Sequence, residues 1–149
     1  MRIAVVSRAI NAAALLDEVG SVSCGATSLF LGTVREMNEG RAVEGIEYAA
    51  YEAMAVRELE RIAHEAIEQF RVHDLVIEHR IGTLTLGDVS VAVAVSDAHR
   101  APALVATRYV IEQLKLRVPI WKREHYADGT REWVDPTHQP ATAATESGA

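Results

Sequence analysis

The sequence predicts an α+β fold, and three observations carry that reading. Stretches with apolar residues at every second position stand beside stretches with apolar residues at three- and four-residue steps, the periods of strand and helix. These stretches do not alternate regularly, as the repeating units of a doubly wound parallel sheet would. Helix caps and turn formers mark several of the joints between them.

Ile3 to Val6 reads as a short strand. Asn11 is a good N-cap for a helix carrying Leu15, Leu16 and Val19, with Gly20 as its stop. Ala26 to Val34 is the next strand, and Arg35 to Arg41 a polar loop. Val43 to Tyr51 reads as a further strand. From Glu52 to Phe70 the period lengthens: Leu59, Ile62, Ala63, Ala66, Ile67 and Phe70 form one apolar face, while Glu58, Arg61, Glu65 and Glu68 are expected to face water. Leu75 to Ile81 is a strand ending at Gly82. In the segment Val89 to Val95, branched valines alternate with Ser90, Ala92 and Ala94, the pattern of a central strand covered on both sides. Pro102 suits the first turn of a helix whose buried face is Ala103, Ala106, Val110 and Leu114. That helix must stop before Pro119, because proline disfavours helical geometry in the residue before it. Asp128-Gly129 marks a hairpin turn between His125-Tyr126 and Glu132-Trp133-Val134. We read residues 1–136 as one domain and 137–149, rich in Thr, Ala and Ser, as a frayed tail.

With 149 residues, about half apolar and a quarter charged, the chain suits a single globular domain. A net charge of -6 argues against nonspecific binding to nucleic acid. Basic residues nevertheless cluster around Arg100 and between Lys115 and Arg123, which points to a small anionic ligand. Cys24 is the only cysteine. It makes neither an internal disulfide nor a thiolate metal site, reads as a small buried residue, and fits a reducing cytoplasm. The apolar run at the N-terminus is too short for a signal peptide, and no stretch is long enough to span a membrane.

The segment from Leu114 to Glu124 is the most informative. Lys115 and Lys122 stand seven residues apart with Pro119 between them, so one cation ends a helix and the other begins a different element. Two readings stay open. In one, both lysines are solvated charges, Lys115 at a helix C-terminus where cations are favoured. In the other they converge on an anion, pressed by Arg117 and Arg123, and serve as a general acid or base or as a nucleophile. His99-Arg100 precedes the Pro102 helix. It reads either as a polar turn or as an anion site that adds a guanidinium fork to a helix N-terminus. Arg35, at the end of a strand, is a weaker candidate. Trp121 and Trp133 read as core or interface anchors. His64 and His73 read as surface residues without metal-ligand spacing, and no phosphate loop, serine elbow or paired-carboxylate motif is present.

Several motifs, taken in order, bear a resemblance. They are Gly32-Thr33-Val34-Arg35 with Asn38 and Gly40, Tyr48 and Tyr51 with Met54-Ala55, and His79-Arg80-Ile81-Gly82 with Gly87-Asp88. They continue with Ser96 and Ala98-His99-Arg100, then Leu114-Lys115 and Pro119 to Glu124, then Trp133. From about Gly25 to Val134 the chain resembles the large, catalytic subunit of molybdopterin synthase, the MoaE family. The resemblance implies an α/β-hammerhead-like domain with a small additional antiparallel β-subdomain. It implies a homodimer within a heterotetramer that carries two copies of a small ubiquitin-like sulfur-carrier subunit. That partner's C-terminal Gly-Gly thiocarboxylate donates sulfur to cyclic pyranopterin monophosphate, and two transfers make the molybdopterin dithiolene.

By the same resemblance Lys115 and Lys122 are catalytic. Arg35, His99 and Arg100 bind the anion, and Thr33, Val34, Arg123 and Glu124 line the substrate site. The site is shared across the dimer, and neither a metal nor a cofactor is implied. A competing expectation is a non-catalytic adaptor that docks the tail of a ubiquitin-like protein in the same basic groove.

Overall fold

A computed structural model describes residues 1–134; the boundary at 136 and the expected tail lie outside the described residues. The elements are β1 (Arg2–Val6), α1 (Ala12–Val19), β2 (Ala26–Thr33), β3 (Met37–Asn38), β4 (Arg41–Ala50), α2 (Glu52–Phe70), β5 (Asp74–Arg80), β6 (Gly82–Thr85), β7 (Val89–Asp97), α3 (Arg100–Arg117), β8 (Ile120–Tyr126) and β9 (Arg131–Val134). The α+β expectation holds. So do the cap at Asn11, whose side chain accepts from the Ala14 N–H, and the helix end before Pro119.

One sheet runs in the order β1-β5-β7-β2, with β1 parallel to β5 and the other pairs antiparallel. β7 lies inside it and is buried from Ser90 to Ser96. Val91, Val93 and Val95 join Leu75 and Ile77 under α2 and α3, while Ala92 and Ala94 meet Leu15 and Val19 of α1 on the opposite face. The branched face therefore fills the larger core, and the small face admits the short helix. Alanines at Ala55, Ala63, Ala66, Ala103 and Ala106 are all buried in the larger core beneath α2 and α3.

The second sheet is built on β4. Along one edge β4 pairs with β8, which pairs in turn with β9; along the other it pairs first with β3 and then with β6. This is the small antiparallel subdomain. It contains two strands that the sequence reading left as turn or loop. β3 forms because Glu39 (φ 51°) and Gly40 (φ 77°) both adopt the left-handed region, which closes a two-residue hairpin between Asn38 and Arg41. β6 crosses β4 where Gly45 lies close enough that a Cβ would come within 2.7 Å of the Leu84 carbonyl oxygen.

Two expectations about side chains need correction, and a third, the core-or-interface reading of Trp133, loses its core alternative. Glu58 and Glu65 do not simply face water: Arg117 of α3 holds both, at 2.8 Å each, and ties the two helices together. Cys24 is partly exposed instead of buried, because it lies in the turn after α1. Trp133 is half exposed, with Arg123 over its ring, so it does not anchor the core of this chain. His64 and His73 are exposed, as expected.

Beneath α1, Glu78 is almost fully buried yet charged, gripped by Arg2 (2.7 Å) and Arg8 (3.0 and 3.1 Å). Burial pushes its pKa up, but the hydrogen bonds and charges of Arg8 and Arg2 outweigh burial and hold the carboxyl below its ordinary 4.5. A carboxylate with a depressed folded pKa contributes stability that is complete above the unfolded value and drains away as pH falls through the folded one. Glu78→Gln is expected to lower the urea midpoint at neutral pH and to flatten the acid limb of stability against pH. An unchanged acid limb would show that the arginine clamp contributes nothing.

Candidate active site

A cleft of about 490 Å³ opens where the subdomain meets the last turn of α3 and the end of β2. The corner at Pro119 builds it. Val118 leaves helical geometry (φ -81°, ψ 127°) while its N–H still bonds the Leu114 carbonyl, as a residue before proline must. The chain then enters β8, with Ile120 opposite Ala50. Lys115 thus comes from a helix end and Lys122 from a strand, and both line the cleft together with Thr33, Arg35 and Glu124.

Strand alternation decides which neighbours join them. Lys122, Glu124 and Tyr126 project from one face of β8, where they form a connected hydrogen-bonded set. Arg123 projects from the other face, pairs with Glu47 and lies 4.9 Å from the centre of the Trp133 ring. It does not line the cleft, and Arg117 is occupied by Glu58 and Glu65. The expectation that these two arginines press on the lysines is therefore corrected. Val34 also stands apart from the lining: its side chain is buried with Val43, Ile46, Leu84 and Tyr126. Its N–H bonds the Asp88 carbonyl and its carbonyl accepts from Gly87, so it braces the loop under the site.

His99 and Arg100 lie at the opposite end of α3, both exposed, with the His99 N–H on the Asp97 carboxylate. About four helical turns separate Arg100 from Lys115, roughly 22 Å at 1.5 Å per residue. Within one chain they do not meet the cleft.

Glu124 is the organising group. It is 2 % exposed. One carboxylate oxygen accepts from Lys122 Nζ at 3.2 Å, and the other accepts from Asn38 Nδ2 and the Tyr126 hydroxyl at 2.5 Å each. Burial raises its pKa, but the Tyr126 hydrogen bond, the Lys122 charge and the Asn38 amide prevail, so the carboxyl stays below its ordinary range. The same bond to Glu124 pushes the Tyr126 phenol up. Arg35 is exposed and reaches Asn38 Oδ1 at 3.4 Å.

Tyr126 did not stand among the candidates, and Asn38 and His79 appeared only as motif residues of the resemblance, with no role given to either. His79 lines the cleft with its Nδ1 2.9 Å from the Arg80 carbonyl and its ring edge-on to Tyr48. A histidine after the continuous apolar run Leu75-Val76-Ile77 gives no sign, by period alone, that it ends at a cleft. Tyr126 gave a signal only through its two-residue step from Glu124. Among the described residues no cluster of three or more His, Cys, Asp or Glu side chains is arranged to hold a metal. No helix among them is long and apolar enough to cross a membrane.

Burial pushes the His79 imidazole down to about 4, against a smaller upward pull from the Arg80 carbonyl. In the folded protein it is expected to titrate near pH 4 by NMR, in place of the ~6.5 of an open histidine. Titration at the open value would contradict its burial.

The model of the MoaE protein family matches residues 5–117. The molybdopterin synthase catalytic subunit of Aspergillus fumigatus is 38% identical over 143 residues, covering 93% of this chain and 76% of the relative. That of Oryza sativa subsp. indica is 43% identical over 141 residues, covering 91% and 73%. The crystal structure of molybdopterin synthase from Staphylococcus aureus superposes with a TM-score of 0.83 at 37% identity, over 87% of this chain and 94% of that one. The MoaE protein of Burkholderia ambifaria superposes at 0.80 and 31% identity, over 95% and 94%. On a match spanning most of its length, the chain belongs to the MoaE family, the catalytic subunits of molybdopterin synthase.

Proposed function

We propose that the cleft is a sulfur-transfer site. Sulfur passes from the thiocarboxylated C-terminus of a small ubiquitin-like subunit to cyclic pyranopterin monophosphate, and two transfers form the molybdopterin dithiolene. The observation that carries this reading is the convergence of Lys115 and Lys122, from two different elements, on one cleft that also holds Arg35. Both reactants are anionic, so a positive cleft on an acidic protein draws them to the same place. The sulfur arrives from outside, which suits a chain whose single cysteine, Cys24, lies in the turn after α1. A reducing cytoplasm is the compartment that fits that usage.

Lys115, on the exposed last turn of α3, does the general acid/base work. Lys122, held by Glu124, fixes the tail and the substrate. An ammonium beside the tail's carbonyl stabilises the charge that develops as sulfur leaves and as water attacks. Arg35 takes the cyclic phosphate. His99 and Arg100 serve the cleft of a second copy in a homodimer, because the length of α3 keeps them from their own. An adaptor that only docks a tail needs fewer converging cations, so we favour the enzyme.

Lys115→Ala is expected to slow single-turnover sulfur transfer by about a hundredfold or more, the usual weight of a general acid or base, with partner binding retained. Lys122→Ala is expected to weaken both binding and rate. Near-normal rates in both variants would sink the reading. Sharing of the site has its own test. Lys115→Ala and Arg100→Ala proteins, each inactive alone, are mixed and allowed to exchange subunits. About a quarter of the sites then regain a complete set if each site spans two copies. If mixing restores no activity, the site is not shared.

A further inference from the structure

We infer that Tyr126, together with Asn38, is a positioning residue for Lys122 and acts through the carboxylate of Glu124. The inference deepens the sulfur-transfer reading and rests on it. A buried carboxylate with one partner can pivot about its last torsion, and a lysine on a flexible four-carbon stem would follow it. Here one oxygen is locked by two donors, the Tyr126 hydroxyl and Asn38 Nδ2. The other oxygen is then left in one place, where Lys122 Nζ finds it.

Both donors are themselves anchored. The Tyr126 ring is buried among Val34, Val43, Ile46 and Leu84, and the Arg41 guanidinium lies 3.5 Å from its centre. Arg41 is tied in turn to Asp128 and Thr130 of the β8–β9 turn and to Glu132. Asn38 is set by the left-handed Glu39-Gly40 turn. Its Oδ1 accepts from Arg35, which leaves the amide nitrogen for Glu124 and the Tyr126 hydroxyl. One network therefore joins Arg35 to Lys122 across the cleft and fixes their spacing.

Among the described residues, charged and titratable groups approach Glu124 from several elements. Lys122 and Tyr126 approach along β8 and Asn38 from β3. Glu132 lies opposite on β9, drawn to Arg41 at 3.5 Å. His79 and Lys115 belong to the same cleft lining. The Tyr126 hydrogen bond favours the ionised carboxylate, so its loss raises the pKa of Glu124.

Tyr126→Phe keeps the ring and its stacking with Arg41 while removing the hydroxyl. In the complete complex, with partner and pterin substrate, kcat is expected to fall about tenfold, as for the loss of a charge-assisted hydrogen bond. KM is expected to stay close to wild type. The acid limb of kcat is expected to move to higher pH, a change that mere loosening of the fold would not produce. In a Glu124→Ala background the same substitution is expected to add nothing, since its effect runs through that carboxylate.

Lys122→Ala measured alongside separates two failures. If Lys122→Ala transfers sulfur at the wild-type rate, the assignment of the cleft falls. If Lys122→Ala is inactive while Tyr126→Phe keeps the wild-type kcat and acid limb, the positioning role alone falls. An equal loss from Tyr126→Phe with and without Glu124 overturns it as well.

Discussion

Pro119 forces Val118 out of helical geometry, and the layout of the cleft follows from where that break falls. One residue later the chain is committed to β8, whose register against β4 runs from Ile120 opposite Ala50 to Tyr126 opposite Val43. That register decides the face on which each side chain emerges. It turns Lys122, Glu124 and Tyr126 together and sends Arg123 to Glu47. A shift of one residue would exchange the two sets and place a guanidinium where the ammonium now stands. The hairpin at Glu39-Gly40 and the close approach of Gly45 to Leu84 hold the register from the other edge of β4. The subdomain is thus a clamp on the orientation of one strand.

Charge is distributed with a consistent logic. The chain is acidic overall, yet several of its arginines are bound to carboxylates away from the cleft: Arg2 and Arg8 on Glu78, Arg117 on Glu58 and Glu65, Arg123 on Glu47. Those pairs fasten elements together. Two buried carboxylates show the contrast. Glu78 is saturated by two guanidinium groups and serves the fold. Glu124 is held by two weaker, neutral donors and a single lysine, and it faces the cleft. Replacing an arginine clamp by a tyrosine and an asparagine leaves an ammonium as the one full charge on that carboxylate, in a place an incoming anion can reach.

Much of the scaffold was legible in the sequence because it rests on period and punctuation. The valine alternation in β7, the cap at Asn11, the bounds of α2 and the stop at Pro119 are local signals, and the structure keeps them. β3 and β6 escaped because neither is apolar or long; each exists only because β4 offers it an edge. The proline between Lys115 and Lys122 made their convergence one of two open readings, and the cleft brings them together. The parts taken by Arg123 and Val34 were not legible, because they depend on β8 register and on which side of β2 a strand end turns. Arg117 was misread for a related reason: its carboxylates, Glu58 and Glu65, lie on a helix far away in sequence. Asn38 and Tyr126 show the same limit. Asn38 stood in a motif without a role and Tyr126 in none, and the buried carboxylate that both bond is what gives each a part.

α3 acts as a ruler in the proposed assembly. It carries Lys115 at one end and His99-Arg100 at the other, and its length makes the two ends unable to share a cleft within one chain. In a two-fold dimer the interface is isologous: if the N-terminus of one α3 reaches the neighbour's cleft, the reverse contact follows by symmetry. Such a pairing needs a surface to close on, and Leu104 and Val105 leave apolar side chains exposed on α3 close to its N-terminus. In the proposed pairing the helix N-terminus, with its unpaired N–H groups and two basic side chains, would lie against a cleft that already holds Arg35, Lys115 and Lys122. Each cleft would then add two phosphate-facing side chains from outside to its own Arg35, and keep its lysines fixed from within. The first set would depend on assembly, while the second depends only on how β8 is held. On this arrangement a chain that folds correctly but stays alone would have its lysines in place and its anion site half built.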